Sequence, residues 1–188
     1  GNEQNYHFNV LKALINIIDV DNSDKIYHLS YGMVELPEGK MKSREGKVVD
    51  ADDLVNEMIL TAKEITEQLG KNEIQGEEAN ELFNKIGLAA LKYFILKVDP
   101  SKNMMFNPKE SIDFNGNTGP FIQYTYARIC SLMRKANELG IEIKELKNYN
   151  FKLHYRELTL IRSIYKYPEI IKEAGNTYNP SIIANYIY

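Results

Sequence analysis

Cysteine is nearly absent. Cys130 is the only one in 188 residues, so no disulfide can form within the chain. That suits a reducing compartment, and the cytoplasm is the expected location. Long apolar runs are missing as well: nothing approaches the ~18 consecutive apolar residues of a membrane span. No membrane role is expected. A strong excess of one charge is also lacking. The net charge of -3 argues against a general nucleic-acid binder. What remains is ordinary for a globular protein, with 44% hydrophobic, 26% charged and 11% aromatic residues. That is enough for one sizeable core or two small domains.

The charge is unevenly placed. Residues 48–99 hold eleven Asp/Glu against five Lys/Arg, and residues 121–172 hold ten Lys/Arg against five Glu. Two readings stay open. A basic half can serve a polyanion even in an acidic chain, or two solvated helix faces carry a chance bias. The chain enters a structured pattern directly at Gly1 and stops in the apolar run 182–188. Natural ends are usually polar and frayed, so both ends are expected to be cuts within a longer protein.

Apolar spacing predicts the elements. Tyr6, Val10, Leu11, Leu14, Ile15 and Ile18 mark a helix over 5–18. Residues 19–24 form a polar turn, 26–34 read as extended, and Leu36-Pro37-Glu38-Gly39 breaks the pattern. Asp50 can cap a helix striped by Leu54, Met58, Ala62, Ile65 and Leu69, with Gly70 as its stop. A second helix begins after Gly76 and carries Leu82, Ile86, Ala89, Ala90, Tyr93 and Phe94 on one face. Val98-Asp99-Pro100 ends it. Residues 101–118 read as short extended or loop pieces. A long helix opens at Gly119-Pro120 and runs to Gly140, with Ile122, Tyr126 and Ile129 expected in a core. Further helices are expected over 152–165, over 168–174 and after Pro180. The expected class is mainly α: a short α/β start followed by an all-helical remainder, divided near 115–120.

Three segments carry chemistry. The first is Gly39-Lys40-Met41-Lys42-Ser43-Arg44-Glu45-Gly46. Lys40, Lys42, Arg44 and Lys47 put four cations into eight residues, and Gly39 and Gly46 bracket the first three. Phosphates most need such a loop. One that closes on a triphosphate supplies charge where it develops as pyrophosphate leaves. On composition alone a solvated basic turn is the stronger reading. The second is Gly1-Asn2-Glu3-Gln4-Asn5-Tyr6-His7-Phe8, a polar cluster at a helix start. The third is Asn115-Gly116-Asn117-Thr118-Gly119-Pro120-Phe121-Ile122-Gln123-Tyr124-Thr125-Tyr126-Ala127-Arg128. There Tyr124 and Arg128 fall together, one helical turn apart.

The order Lys-Met-x-Ser is similar to the signature loop of class I aminoacyl-tRNA synthetases. Residues 35–49 more narrowly resemble the arginyl branch, which typically reads Gly-Lys-Met-Ser-(Ser/Thr)-Arg-x-Gly-Asn-Val. Here Lys42 stands where the general signature has Ser, and Ser43 stands where it has the second Lys. The start of the chain resembles that branch's Gly-x-x-Gln-x-x-His-Phe turn. The third segment resembles the opening helix of its anticodon-binding domain, with Phe121 in place of the usual Tyr and Tyr126 in place of His.

This resemblance implies an internal fragment. Residues 1–114 would be the C-terminal part of a Rossmann-like catalytic domain, and residues 115–188 the start of a helical anticodon-binding bundle. It implies an ATP-dependent ligase that activates arginine and passes it to its tRNA. Magnesium would accompany the ATP, the enzyme would be a cytoplasmic monomer, and neither DNA nor a protein-held metal is expected. Lys40, Lys42, Ser43 and Arg44 would serve catalysis. Gln4, His7, Lys40 and Met41 would hold substrate or nucleotide, with Met41 as a packing anchor. Gln123, Tyr124 and Arg128 would meet tRNA through hydrogen bonding, stacking and phosphate contact. A competing reading is a non-catalytic tRNA-binding helical module whose basic loop clamps phosphate. The cysteinyl and leucyl branches share the lysine signature but lack the Gly-Asn-Thr-Gly-Pro block.

Class I enzymes also carry a His-x-Gly-His turn, and these 188 residues contain none. The chain by itself is therefore expected to make no adenylate. With arginine, ATP and tRNA present, pyrophosphate exchange should match the background of a Lys40→Ala control. Exchange above that background would overturn the expectation.

Overall fold

The core is built between two helices whose apolar faces were read from spacing: α3 (Ala51–Gln68) and α4 (Glu77–Leu96). The computed structural model of the chain describes residues 1–18, 20–35, 50–68, 76–141 and 152–188. The Asp50 carboxylate accepts from the Asp52 backbone N–H at 3.0 Å and so caps α3, with Asp52 and Asp53 in the positive first turn. Leu69 and Gly70, expected to finish α3, lie outside the described residues. Met58 and Ala62 of α3 meet Ile86, Ala90 and Leu91 of α4, with Phe106 and Ile112 closing the cluster. Phe94 and Phe106 pack edge to face at 5.1 Å. A Cβ on Gly87 would come within 3.0 Å of the Met58 and Ile59 backbone, so the two helices approach closely because one of them has no side chain there.

The N-terminal part is looser. A single 3-10 turn (Asn2–Gln4) leads into α1 (Asn5–Ile18), as expected from its spacing. The polar stretch that follows is not a plain turn. It holds a short helix, α2 (Val20–Ser23), where the buried Ser23 hydroxyl donates to Asn16 Oδ1 at 3.1 Å. The expected extended segment 26–34 yields only β1 (Val34–Glu35), parallel to β2 (Met104–Met105), with Val34 opposite Met104. The reason is where its backbone groups go. Gly32 N–H donates to the Pro100 carbonyl at 2.6 Å and Met33 N–H to Asn103 Oδ1 at 2.8 Å. These bonds serve a loop rather than a strand ladder. A Cβ at Gly32 would sit 2.0 Å from the Lys102 carbonyl oxygen, so the loop presses directly on the backbone there.

The stretch 101–118, expected to be loop, also contains α5 (Pro108–Ser111). Asn107 caps it, its Oδ1 accepting from Lys109 N–H at 3.1 Å, and Pro108 fills the first helical position. Thr118 then caps α6 (Gly119–Glu138), its Oγ1 accepting from Phe121 N–H at 3.3 Å while its hydroxyl donates to the Asp113 carbonyl. A Cβ on Gly119 would stand 2.3 Å from the Ala89 carbonyl oxygen of α4. Helix α6 thus rests on α4 by backbone contact.

Two helices complete the chain. His154 caps α7 (Tyr155–Thr177): its Nδ1 accepts from Arg156 N–H at 3.3 Å, and Glu157 accepts from His154 N–H at 2.6 Å. The spacing predicts a break at Pro168, and the structure corrects this to one continuous helix. Proline removes a single bond, the one Ile164 would have accepted, and bends the helix without having to end it. The Tyr186 hydroxyl donates to the neighbouring Ser163 carbonyl, and the Tyr167 and Tyr186 rings lie 5.9 Å apart, so α8 (Ser181–Ile187) splints the weak point. On its other side α8 meets α4, where the Tyr93 hydroxyl donates between the Ala184 carbonyl (3.0 Å) and Asn117 Oδ1 (2.5 Å).

One expected core does not form. Ile122 is half-buried, but Tyr126 and Ile129 are 69% and 55% exposed. Only the first turn of α6, at Gly119 and Pro120, is buried against α4. Farther along, the stripe leaves the surface that could cover it.

Gly119→Ala should therefore lower stability by about 1–3 kcal/mol, because α4 must yield by roughly 1 Å to admit the added methyl. Gly175, with nothing within 4 Å of an added Cβ, offers the opposite case. Gly175→Ala should raise stability by about 0.5–1 kcal/mol through helix propensity. Thermal unfolding of the two variants should move in opposite directions.

Candidate nucleic-acid interface

Helix α6 carries two stripes side by side. Tyr124, Arg128, Ser131 and Lys135 recur at intervals of four, three and four, which puts them on one face. Phe121, Ile129 and Leu132 run along the adjoining apolar edge. Together with Thr125 they line an open groove of about 550 Å³. The Arg128 guanidinium carbon lies 5.8 Å from the centroid of the Tyr124 ring, a cation over an aromatic face. The Phe121 ring is 5.7 Å from that of Tyr188, which ties the groove's end to the end of α8.

An exposed aromatic, two cations and an apolar wall suit a flexible polyanion with unstacked bases. Rings take base faces, and cations take the phosphates between them. On the opposite face the Tyr126 hydroxyl is held above the usual tyrosine range, mainly by its hydrogen bond with the Cys130 thiol. That residue stays neutral and adds no charge to the groove.

The residues singled out in the sequence fall into three groups. Tyr124 and Arg128 come together in the groove. Gln123 faces elsewhere: its Nε2 donates to the Lys85 carbonyl of α4 at 3.2 Å, and its Oε1 is buried without a partner. Gln4 and His7 come together at the exposed start of α1, one turn apart. Gln4 Oε1 accepts from the Gly1 amine at 3.0 Å, and His7 stands edge-on to Tyr6 at 6.0 Å. Lys40, Met41, Lys42, Ser43 and Arg44 lie outside the described residues. Lys135 and Ser131 were not singled out. The four-three-four recurrence from Tyr124 is the signal that finds them.

Comparison with known proteins adds what geometry leaves open. The family described as tRNA synthetases class I (R), catalytic domain, matches residues 1–108. The chain belongs to that family. The DALR anticodon binding domain family matches residues 122–188 of the same synthetase chain. The chain is 61% identical over 189 residues to the arginine–tRNA ligase of Parabacteroides distasonis, and 59% to that of Bacteroides fragilis. All of the chain is covered in both comparisons, but it spans only 32% of the length of either relative. The structure of Thermus thermophilus arginyl-tRNA synthetase superposes with a TM-score of 0.79 at 24% identity, over 96% of this chain and 29% of that one. The synthetase chain is therefore a catalytic-domain portion followed by an anticodon-binding portion, mainly helical as its sequence implied. Its groove on α6 opens one residue before the anticodon-binding match begins.

Proposed function

We propose that the chain is part of an arginine–tRNA ligase that activates arginine with magnesium-bound ATP and transfers it to its tRNA. The observation that carries this reading is the order of the two matches: a catalytic-domain portion at 1–108 runs directly into an anticodon-binding portion from 122. We place the boundary between the domains at 114/115, just before the Thr118 cap of α6. Lys40, Lys42, Ser43 and Arg44 serve the phosphates of ATP as charge builds on the leaving pyrophosphate. Met41 anchors their loop, and Gln4 and His7 contact arginine and nucleotide. Tyr124 and Arg128 meet tRNA in the groove, and Lys135 extends that contact. Gln123 joins them if its carboxamide turns away from Lys85. The parent enzyme works as a cytoplasmic monomer. Among the described residues no helix is long and apolar enough to cross a membrane.

The first chemical step asks mainly for positioning and charge, because phosphoryl and adenylyl transfer need little covalent help from side chains. That fits a chain rich in cations at its signature loop. The basic half then faces tRNA, and the acidic half around α3 and α4 is scaffold.

In a full-length ligase carrying these residues, Arg128→Glu should weaken tRNA binding. It should also flatten the slope of log affinity against log salt by about 1. Lys135→Glu should flatten it by a similar amount. Unchanged slopes in both variants would remove the groove from the tRNA interface.

A further inference from the structure

Between the two halves lies a second cavity, of about 400 Å³, lined in part by Tyr27, Ser30, Asp99, Tyr178 and Asn179. Its walls come from opposite ends of the sequence, and a run of hydrogen bonds crosses it. Ser181 donates through its N–H (3.0 Å) and hydroxyl (2.6 Å) to Asn179 Oδ1. Asn179 Nδ2 donates to Asp99 Oδ2 at 3.0 Å. The other oxygen, Asp99 Oδ1, accepts from Ser101 N–H (2.9 Å) and the Ser101 hydroxyl (2.6 Å). The Ser101 carbonyl accepts from Asn2 Nδ2 at 3.2 Å, and Asn2 Oδ1 accepts from the Ser30 hydroxyl at 2.7 Å. Asn2 opens the 3-10 turn that ends at Gln4.

The chemistry of the pair allows one arrangement. Asn179 shows its oxygen to two Ser181 donors and its amide to a carboxylate, so a flipped amide would put donors against donors. Asp99 divides its two oxygens between the two halves of the molecule. The bonds from Ser101, its hydroxyl first, hold the Asp99 carboxyl below the usual range, so it stays an acceptor. Next to this pair Tyr178 adopts φ 51°, the left-handed conformation that a non-glycine residue avoids, and its ring rests on Tyr27 at 4.4 Å. A costly backbone state is thus maintained where the two halves touch.

We propose that Asp99 and Asn179 are positioning residues, linking the α7–α8 turn to the turn that carries Gln4 through Ser101 and Asn2. This rests on the ligase reading above and adds residues that touch neither tRNA nor ATP in it.

The test is a reciprocal exchange. Asp99→Asn alone leaves an amide donor facing either Asn179 Nδ2 or the Ser101 N–H, and Asn179→Asp alone sets two carboxylates face to face. The double variant regains the bond with donor and acceptor reversed, and leaves an oxygen for each serine. In the 188-residue chain, NMR amide exchange at Asn2 and Gly32 should quicken about tenfold in each single variant and return to the original rate in the double. Amides of α3 and α4 should keep their rates throughout. Equal quickening across α3 and α4, no change at Asn2, or a double variant as fast as the singles would each overturn the link.

In the full-length ligase the singles should raise the KM for arginine about tenfold with tRNA affinity unchanged, and the double should restore it. A shift in tRNA affinity with arginine KM intact would make the pair a tether without positioning. The exchange measurement needs no catalysis. An unaltered ligase that ignores arginine would therefore strike the function reading and leave the exchange result standing.

Discussion

The structure depends on how closely backbones can approach α4. Two glycines make that possible, Gly87 within α4 and Gly119 at the start of α6. With Gly87, α3 sinks onto α4 and the cluster around Met58 and Phe106 closes. With Gly119, α6 leaves α4 from a fixed point, and its groove inherits that direction. Helix α8 reaches the same helix through Tyr93. One helix therefore underlies both the catalytic-domain portion and the anticodon-binding portion. Neither portion has a core of comparable size elsewhere among the described residues.

Elements with strong internal periodicity were legible in the sequence. The stripe from Leu54 to Ile65 and the face from Leu82 to Phe94 gave α3 and α4: α3 buries one side, and α4 keeps apolar residues wherever α3, α6 or α8 meets it. The caps at Asp50 and Gly76 gave their starts. Features that depend on distant partners were not legible. Pro168 reads as a stop, and the support of α8 through Tyr186, on Ser163 and Tyr167, is not visible in the local sequence. Residues 26–33 have the composition of a strand, yet the Gly32 and Met33 N–H groups answer to Pro100 and Asn103, some seventy residues away. Helix α5 is short enough that its only local signal is the Asn107-Pro108 pair.

The candidate site was legible unevenly. Tyr124 and Arg128 stood out by their spacing, and the groove joined them. Gln123, adjacent in sequence, points into α4 because a helix turns 100° per residue. The lysine loop was the strongest sequence signal, and it lies wholly outside the described residues. Family likeness and geometry therefore support different parts of the reading. Likeness carries the proposed ATP side, and geometry carries the groove proposed for RNA. The exposed apolar residues of α6 and α7 outside the groove, such as Met133 and Ile164, belong to neither.

Helix α6 has one more property that follows from its thiol. Cys130 is half-buried and is the sole cysteine of the chain, so a thiol-reactive dye or spin label can attach at a single position without prior mutagenesis. Helical geometry puts that position on the side of α6 away from Arg128 and Lys135. A reporter there would ride on the helix that carries the groove while leaving the groove open. The native chain thus comes with its own attachment point for following this helix in solution.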